Sequence, residues 1–294
     1  MSWFATGIIF AFLGAITMII NQRYRLDGHL ISGMRFGVGI LFFPAVFFVE
    51  FPKSPLFWAL VILEAFISTF YNARIYAAAA MYGAGSASRI NVLSIAFGLV
   101  FWWILDYRQF LRLWANPVEF FGVLAALALV GWGFYLMHKS SSASRHGELA
   151  FMMPAVVVLA AMMINRKEIM EHAEFFSASV YYCTVAIFLS EVSNLVIFGV
   201  RNGFEGLKEK LCKIKVAEAG IFMALASSGT IFFGNISSLY VPDPAYISAL
   251  TLTTPIWVMA INKFFGIRDA VSPSAVLIMF LGLGALIYFA RNTL

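Results

Sequence analysis

WFATGIIFAFLGAITMIIN, residues 3–21, runs nineteen positions without one charged side chain. A helix rises 1.5 Å per residue and the hydrocarbon core of a bilayer is about 30 Å thick, so about 20 such residues make one crossing. Inside lipid a helix also satisfies its own backbone groups within the segment. The same kind of stretch recurs at 29–49, 56–80, 86–105, 118–138, 148–165, 174–200, 216–239, 244–264 and 272–290. The fold class this predicts is an all-α integral membrane protein with ten transmembrane helices. Little chain is left for a soluble domain, so the lipid bilayer is the first partner expected, and any chemistry or transport takes place among the helices.

Composition points the same way. Apolar residues make up 62% of the chain and charged residues 12%, with 31 Phe among 294 residues. The charged share is about half that of ordinary soluble domains. The net charge of +5 does not indicate nucleic-acid binding, because the basic residues lie between apolar stretches, where membrane proteins keep them for orientation. Cys183 lies within a stretch and Cys212 in a basic loop, a placement that predicts no disulfide. His29, His138, His146 and His172 sit at segment ends or in loops with no metal-site spacing. The N-terminus lacks a basic n-region and a small-residue cleavage site, and reads as a retained first helix.

Connections are short and punctuated by Pro and Gly, as in 50–55, Tyr82-Gly83-Ala84-Gly85 and Val241-Pro242-Asp243-Pro244. Residues 139–147 are small and polar, the best linker in the chain. Residues 201–215 carry Arg201, Lys208, Lys210, Lys213 and Lys215 with Leu207 and Leu211 between them, which fits an interfacial amphipathic helix or a solvated basic loop. The linker divides the chain into 1–140 and 141–294, five stretches each. Ala80-Met81-Tyr82-Gly83-Ala84-Gly85-Ser86-Ala87 parallels 238–245, each a helix ending at a Tyr before a tight turn. The fifth and tenth stretches carry small residues at matching spacing, Gly122/Gly131 and Ala275/Gly284. An odd number of crossings per repeat inverts the second copy, the layout of many secondary transporters.

The run 245–255 ending in Pro255, then Gly266-Ile267-Arg268-Asp269 and Gly282-Leu283-Gly284, resembles the end of the second EamA-type repeat of the drug/metabolite transporter superfamily. Arg35-Phe36 resembles the Arg of that family's second helix. The first repeat departs, with Ala96-Phe97 where a Pro is usual. The resemblance implies two inverted five-helix repeats, a central cavity lined by helices one, three, four, six, eight and nine, both termini in the cytoplasm, and a bacterial inner-membrane location. On that topology the cytoplasmic loops hold Lys53, Arg108, Arg112, Arg166, Lys167 and Arg291, and charge bias favours the opposite side.

Ionisable residues at membrane depth are the sharpest site signals, because each costs about 2.5–3.5 kcal/mol on insertion. Glu64, Arg74, Arg89 and Glu191 fall within stretches, with Arg35 nearer an end. Arg74 and Arg89 flank the turn at 83–85 and read as an anion-gripping pair or as snorkelling side chains. Glu64, Ser68, Asn72 and Tyr76, four apart, form one polar stripe that lines a pathway or glues helices. Arg74 lies about 200° around the helix from Asn72, with Tyr71 between, so stripe and arginine cannot both face a cavity. Asn91, Asn235, Tyr246, Thr253 and Trp257 complete the candidate substrate-binding set, against a packing role for the aromatics; Trp102, Trp103 and Trp114 read as interface-belt residues. Glu191 reads as a proton site or as a structural partner for a buried Arg.

No Gly-x-x-x-x-Gly-Lys-Ser/Thr loop is present, so no nucleotide cofactor is expected. The function expected is a secondary transporter of small polar or anionic metabolites, amino acids or related solutes, coupled to a proton or an exchanged solute, as a monomer or homodimer. The alternatives are an exporter of cationic or drug-like compounds with Glu64 as charge partner, or a structural membrane protein. No clustered nucleophile, base or metal set suggests an enzyme.

Overall fold

The computed structural model describes residues 3–140, 145–241, 250–267 and 273–290, and among these every element is helical. Eight helices are long and apolar enough to cross a membrane: α1 (Phe4–Tyr24), α2 (Gly28–Phe48), α3 (Pro55–Tyr82), α4 (Ala84–Leu105), α6 (Pro117–Met137), α7 (Gly147–Glu171), α8 (Phe175–Asn202) and α10 (Ile214–Tyr240). Short helices α5 (Tyr107–Ala115) and α9 (Phe204–Leu211) lie between them. The ninth stretch is helical over α11 (Thr254–Phe264), with Thr251–Thr253 as a tight lead-in, and its first part falls outside the described residues. The tenth holds a shorter apolar helix, α12 (Ser274–Phe289).

Helix starts follow local chemistry. Asp27 caps α2 by accepting the N–H groups of His29 and Leu30 at 2.8 and 3.2 Å. Ser54 accepts the Phe57 N–H at 3.4 Å, with Pro55 opening α3. Glu174 accepts the Ser177 N–H at 2.9 Å, and the backbone N–H groups of Ser177 and Phe176 hold its carboxyl below the usual carboxylate range. A lowered folded value means the cap stabilises above the unfolded pKa of about 4.3 and is lost as pH falls. A Glu174→Gln variant should therefore show a shallower fall in melting temperature between neutral and acid pH than the wild type.

The turn between α3 and α4 is tight because Gly83 takes φ +91°, a conformation open to glycine. Gln22 Oε1 on α1 accepts the Ala84 N–H at 2.6 Å, and Asn21 donates to the Tyr76 carbonyl at 2.7 Å, so α1 clamps both sides of the turn. Packing pairs α1 with α10 and α3 with α7, α1 with α11 and α7 with α4, and α2 with both α8 and α10. Helices α6 and α12 lie along each other. Their close approach rests on Gly133, where a Cβ would meet Met279 at 2.5 Å, and Gly282, where it would meet Val130 at 2.8 Å. Gly122 also lies on this seam, against Phe289, whereas Gly131 and Gly284 look onto open space, so the matched small-residue spacing is only partly a packing signature.

One further expectation changes, and one open alternative is decided. The sixth helix does not stop at 165 but continues through Glu171, and Arg166 and Lys167 are buried helix residues rather than loop charges. The residues 201–215 contain the helix α9, whose Leu207 and Leu211 pack on Leu30, Phe198 and Val216 while Lys208 and Lys210 are exposed.

Candidate functional site

The polar stripe of α3 is the entry to the site. Ser68, Asn72 and Tyr76 line a space in the middle of the bundle, together with Tyr71. Asn91 of α4 joins them, donating to the Tyr71 hydroxyl at 2.9 Å. Thr17 of α1, Arg166 of α7, Ser227 and Thr230 of α10 and Thr254 of α11 close the far side. Arg35 of α2 and Tyr182 of α8 complete the wall. The cavity measures about 100 Å³ and holds two guanidinium groups, with no carboxylate among the lining residues described. That is smaller than the 300–1,000 Å³ of drug-sized ligand sites and suits a cargo of few atoms.

Each arginine is backed by a buried acid behind the wall. Tyr182 donates its hydroxyl to Glu64 Oε1 at 2.7 Å and accepts from Arg166 Nε and Nη2 at 3.2 and 2.9 Å. Asn165 donates to Glu64 Oε2 at 2.8 Å. The phenol thus stands between the two charges, on a stretch of α8, Tyr182–Ile187, where the helix widens into π geometry. Such insertions recur at functional sites. Gly234 leaves room for Arg166, since a Cβ there would lie 2.6 Å from Nη1. Arg35 lies 5.9 Å from the Tyr76 ring centre and is the cation that attracts Glu191.

Four buried polar atoms around this space have no hydrogen-bond partner among the described residues: Arg35 Nε, Arg166 Nη1, Asn91 Oδ1 and Ser227 Oγ. Buried polar atoms are nearly always paired, by protein, water or ligand. Orphaned polar atoms gathered on residues that line one cavity are what a site for a polar guest looks like. The two donors are cationic, the geometry that grips carboxylate or phosphate.

Of the sequence candidates, Tyr71, Asn72, Tyr76 and Asn91 line this cavity and five others do not. Arg74 is on the other face of α3, donating to the Phe151 carbonyl at 2.6 Å between the rings of Phe70 and Phe151. The stripe faces inward, and the arginine therefore faces outward. Arg89 is buried at the start of α4, where Nη2 donates to Ser86 Oγ at 2.9 Å. Asn235 is fully buried outside the lining, with neither side-chain polar atom paired among the described residues. Thr253 bonds back to the Leu250 carbonyl at 2.8 Å, and Trp257 packs edge-on to Phe12 at 5.1 Å. Tyr246 lies outside the described residues. Arg166 and Tyr182 are the residues sequence reasoning missed. The available signal was Glu64, a buried acid that needs a base, and a sixth stretch shorter than its neighbours.

Among the described residues no three His, Cys, Asp or Glu side chains gather into a metal site. No family model and no curated protein matches the chain. A solved structure described only as "Crystal structure of protein" is similar over 99% of this chain and 99% of its own, with TM-score 0.64 and 13% identity. That likeness speaks for the fold alone: this chain shares a whole-length helical architecture with it.

Proposed function

We propose that the chain is a secondary transporter moving small polar or anionic metabolites across a membrane by alternating access, with ten transmembrane helices in two inverted five-helix repeats, 1–140 and 141–294, of the EamA type. The observation that carries this reading is the central cavity with two arginines, no acid among the described lining residues, and four orphaned polar atoms on the residues around it. Helix pairing supports the repeat. Exchanging each of the first five crossings with its counterpart five later turns α1–α10 into α7–α3, α1–α11 into α7–α4, and α2–α10 into α8–α3, all observed pairs. It leaves α6–α12 and α2–α8 as themselves.

The cationic-exporter alternative loses its anchor, because Glu64 is engaged by Tyr182 and Asn165 and is not part of the cavity wall. A proton or exchanged solute drives the cycle in the absence of a nucleotide site, and a bacterial cytoplasmic membrane is the location the resemblance favours. Purified protein in liposomes, screened against radiolabelled amino acids, small carboxylates and organic cations, should move an anionic or zwitterionic solute; movement of cations only, or of nothing, would overturn the reading. Arg74→Ala should retain transport of that solute within about twofold, because Arg74 lies outside the cavity lining and substitutions away from a site change little. Loss of transport in a stable, monodisperse Arg74→Ala protein would return Arg74 to the site.

A further inference from the structure

The displacement of Arg74 from the central cavity leaves a charge with an unexplained setting. Its helix face, the start of α2 and the last turns of α8 enclose a second space of about 770 Å³, open on one side. The open side belongs to the outer surface of the bundle, where Phe66, Met81, Val192 and Val196 are among the exposed large apolar residues. In a membrane those side chains face acyl chains. At the rim stands Arg201, exposed at the end of α8, with Arg74 further down the same space. Asp27 is the acid in the lining, and its Oδ1 already caps α2 by accepting two backbone N–H groups. His29 is the remaining titratable group, its Nδ1 2.7 Å from Asn194 Oδ1.

We propose that this groove is a binding site for one anionic phospholipid. The apolar floor takes the acyl chains, Arg201 meets the phosphate, and Arg74 meets the phosphate or the glycerol esters beneath it. Arg74 is pre-set for the task. The carbonyl of Phe151 takes one Nη1 hydrogen, two aromatic faces at 4.9 Å hold the plane, and the other N–H groups of the fork stay open to a ligand. Its position, nine residues before Gly83, is about 14 Å down the helix. That is too deep for bulk water and suits a group drawn in by a lipid rather than a free ion. The end of the bundle that carries the groove also carries Arg23, Arg25 and the lysines of α9, a basic surface of the kind that gathers anionic lipid.

Native mass spectrometry of the detergent-purified full chain with added phosphatidylglycerol or phosphatidylcholine tests the site. The wild type should retain phosphatidylglycerol at one site in clear preference to phosphatidylcholine. Arg201→Gln, at an exposed position, and Arg74→Gln should each weaken that retention about fivefold, the usual effect of one basic residue on anionic lipid. The pair Lys208→Gln/Lys210→Gln on α9 should leave it nearly unchanged. Equal retention of both lipids, an equal loss in the α9 pair, or competition by inorganic phosphate as effective as by lipid would each overturn the proposal.

Discussion

Glu64→Ala should be the most damaging single substitution in the molecule. Glu64 is fully buried, and the alanine would strip Tyr182 of its acceptor and Asn165 of one of its two, and leave the Arg166 guanidinium as a lone buried charge. Breaking one side of such a pair costs about 3–5 kcal/mol, enough to aggregate a marginal membrane protein or drop its melting temperature steeply. Tyr182→Phe should cost less, about 1–3 kcal/mol, because it removes one hydroxyl and spares both charges. The double variant Glu64→Leu/Arg166→Met should melt near the wild type, since replacing a whole buried pair by apolar residues is often neutral. It should nevertheless fail to transport, having lost a cavity arginine. A Glu64→Ala protein as stable as the wild type would remove Glu64 from the framework.

Arg35 carries the second large effect. It lines the cavity and its Nε is unpaired among the described residues, so it is placed to hold an anionic guest. Truncating a buried charge that meets a ligand costs about 2–5 kcal/mol, which translates to a loss of transport of roughly thirty-fold or more. Arg35→Ala alone would also leave Glu191, whose two oxygens have no hydrogen-bond partner among the described residues, without the nearby cation that attracts it. The informative variant is therefore Arg35→Gln with Glu191→Gln, which removes both charges. It should fold, melt near the wild type and transport almost nothing. Arg35→Lys should recover part of the activity, because an ammonium keeps the charge without the planar fork. Normal transport by the double glutamine variant would place the anion elsewhere.

The class of the protein was legible because lipid enforces a simple rule: a crossing must be long and apolar, and few sequences meet it repeatedly by accident. The α3 stripe was legible for a related reason. Four polar residues at helical spacing cannot all face lipid cheaply, so their shared face had to meet protein or water. The setting of Arg74 was not legible, because it depends on a neighbour, the Phe151 carbonyl of α7, that no local pattern announces. Arg166 was hidden by its own company. The run Asn165-Arg166-Lys167 looks like a loop when read along the chain, yet three other elements satisfy it: Glu64 accepts from Asn165 at 2.8 Å, the Tyr182 hydroxyl accepts from the arginine at 2.9 Å, and the Val241 carbonyl accepts from the lysine at 3.0 Å. Partners remote in sequence decide whether a charge is inside or outside, and that information is tertiary.

The two guanidinium groups of the cavity and the two acids behind it have a consequence for energetics. With both acids ionised, the charges of these four groups cancel, two against two, so an empty carrier that turns from one side to the other shifts no net charge of theirs through the electric field. With a monoanion aboard, the same movement carries one negative charge. Voltage then acts on the loaded step alone, at about 2.3 kcal/mol per 100 mV, and an interior-negative cell would bias such a carrier toward extrusion.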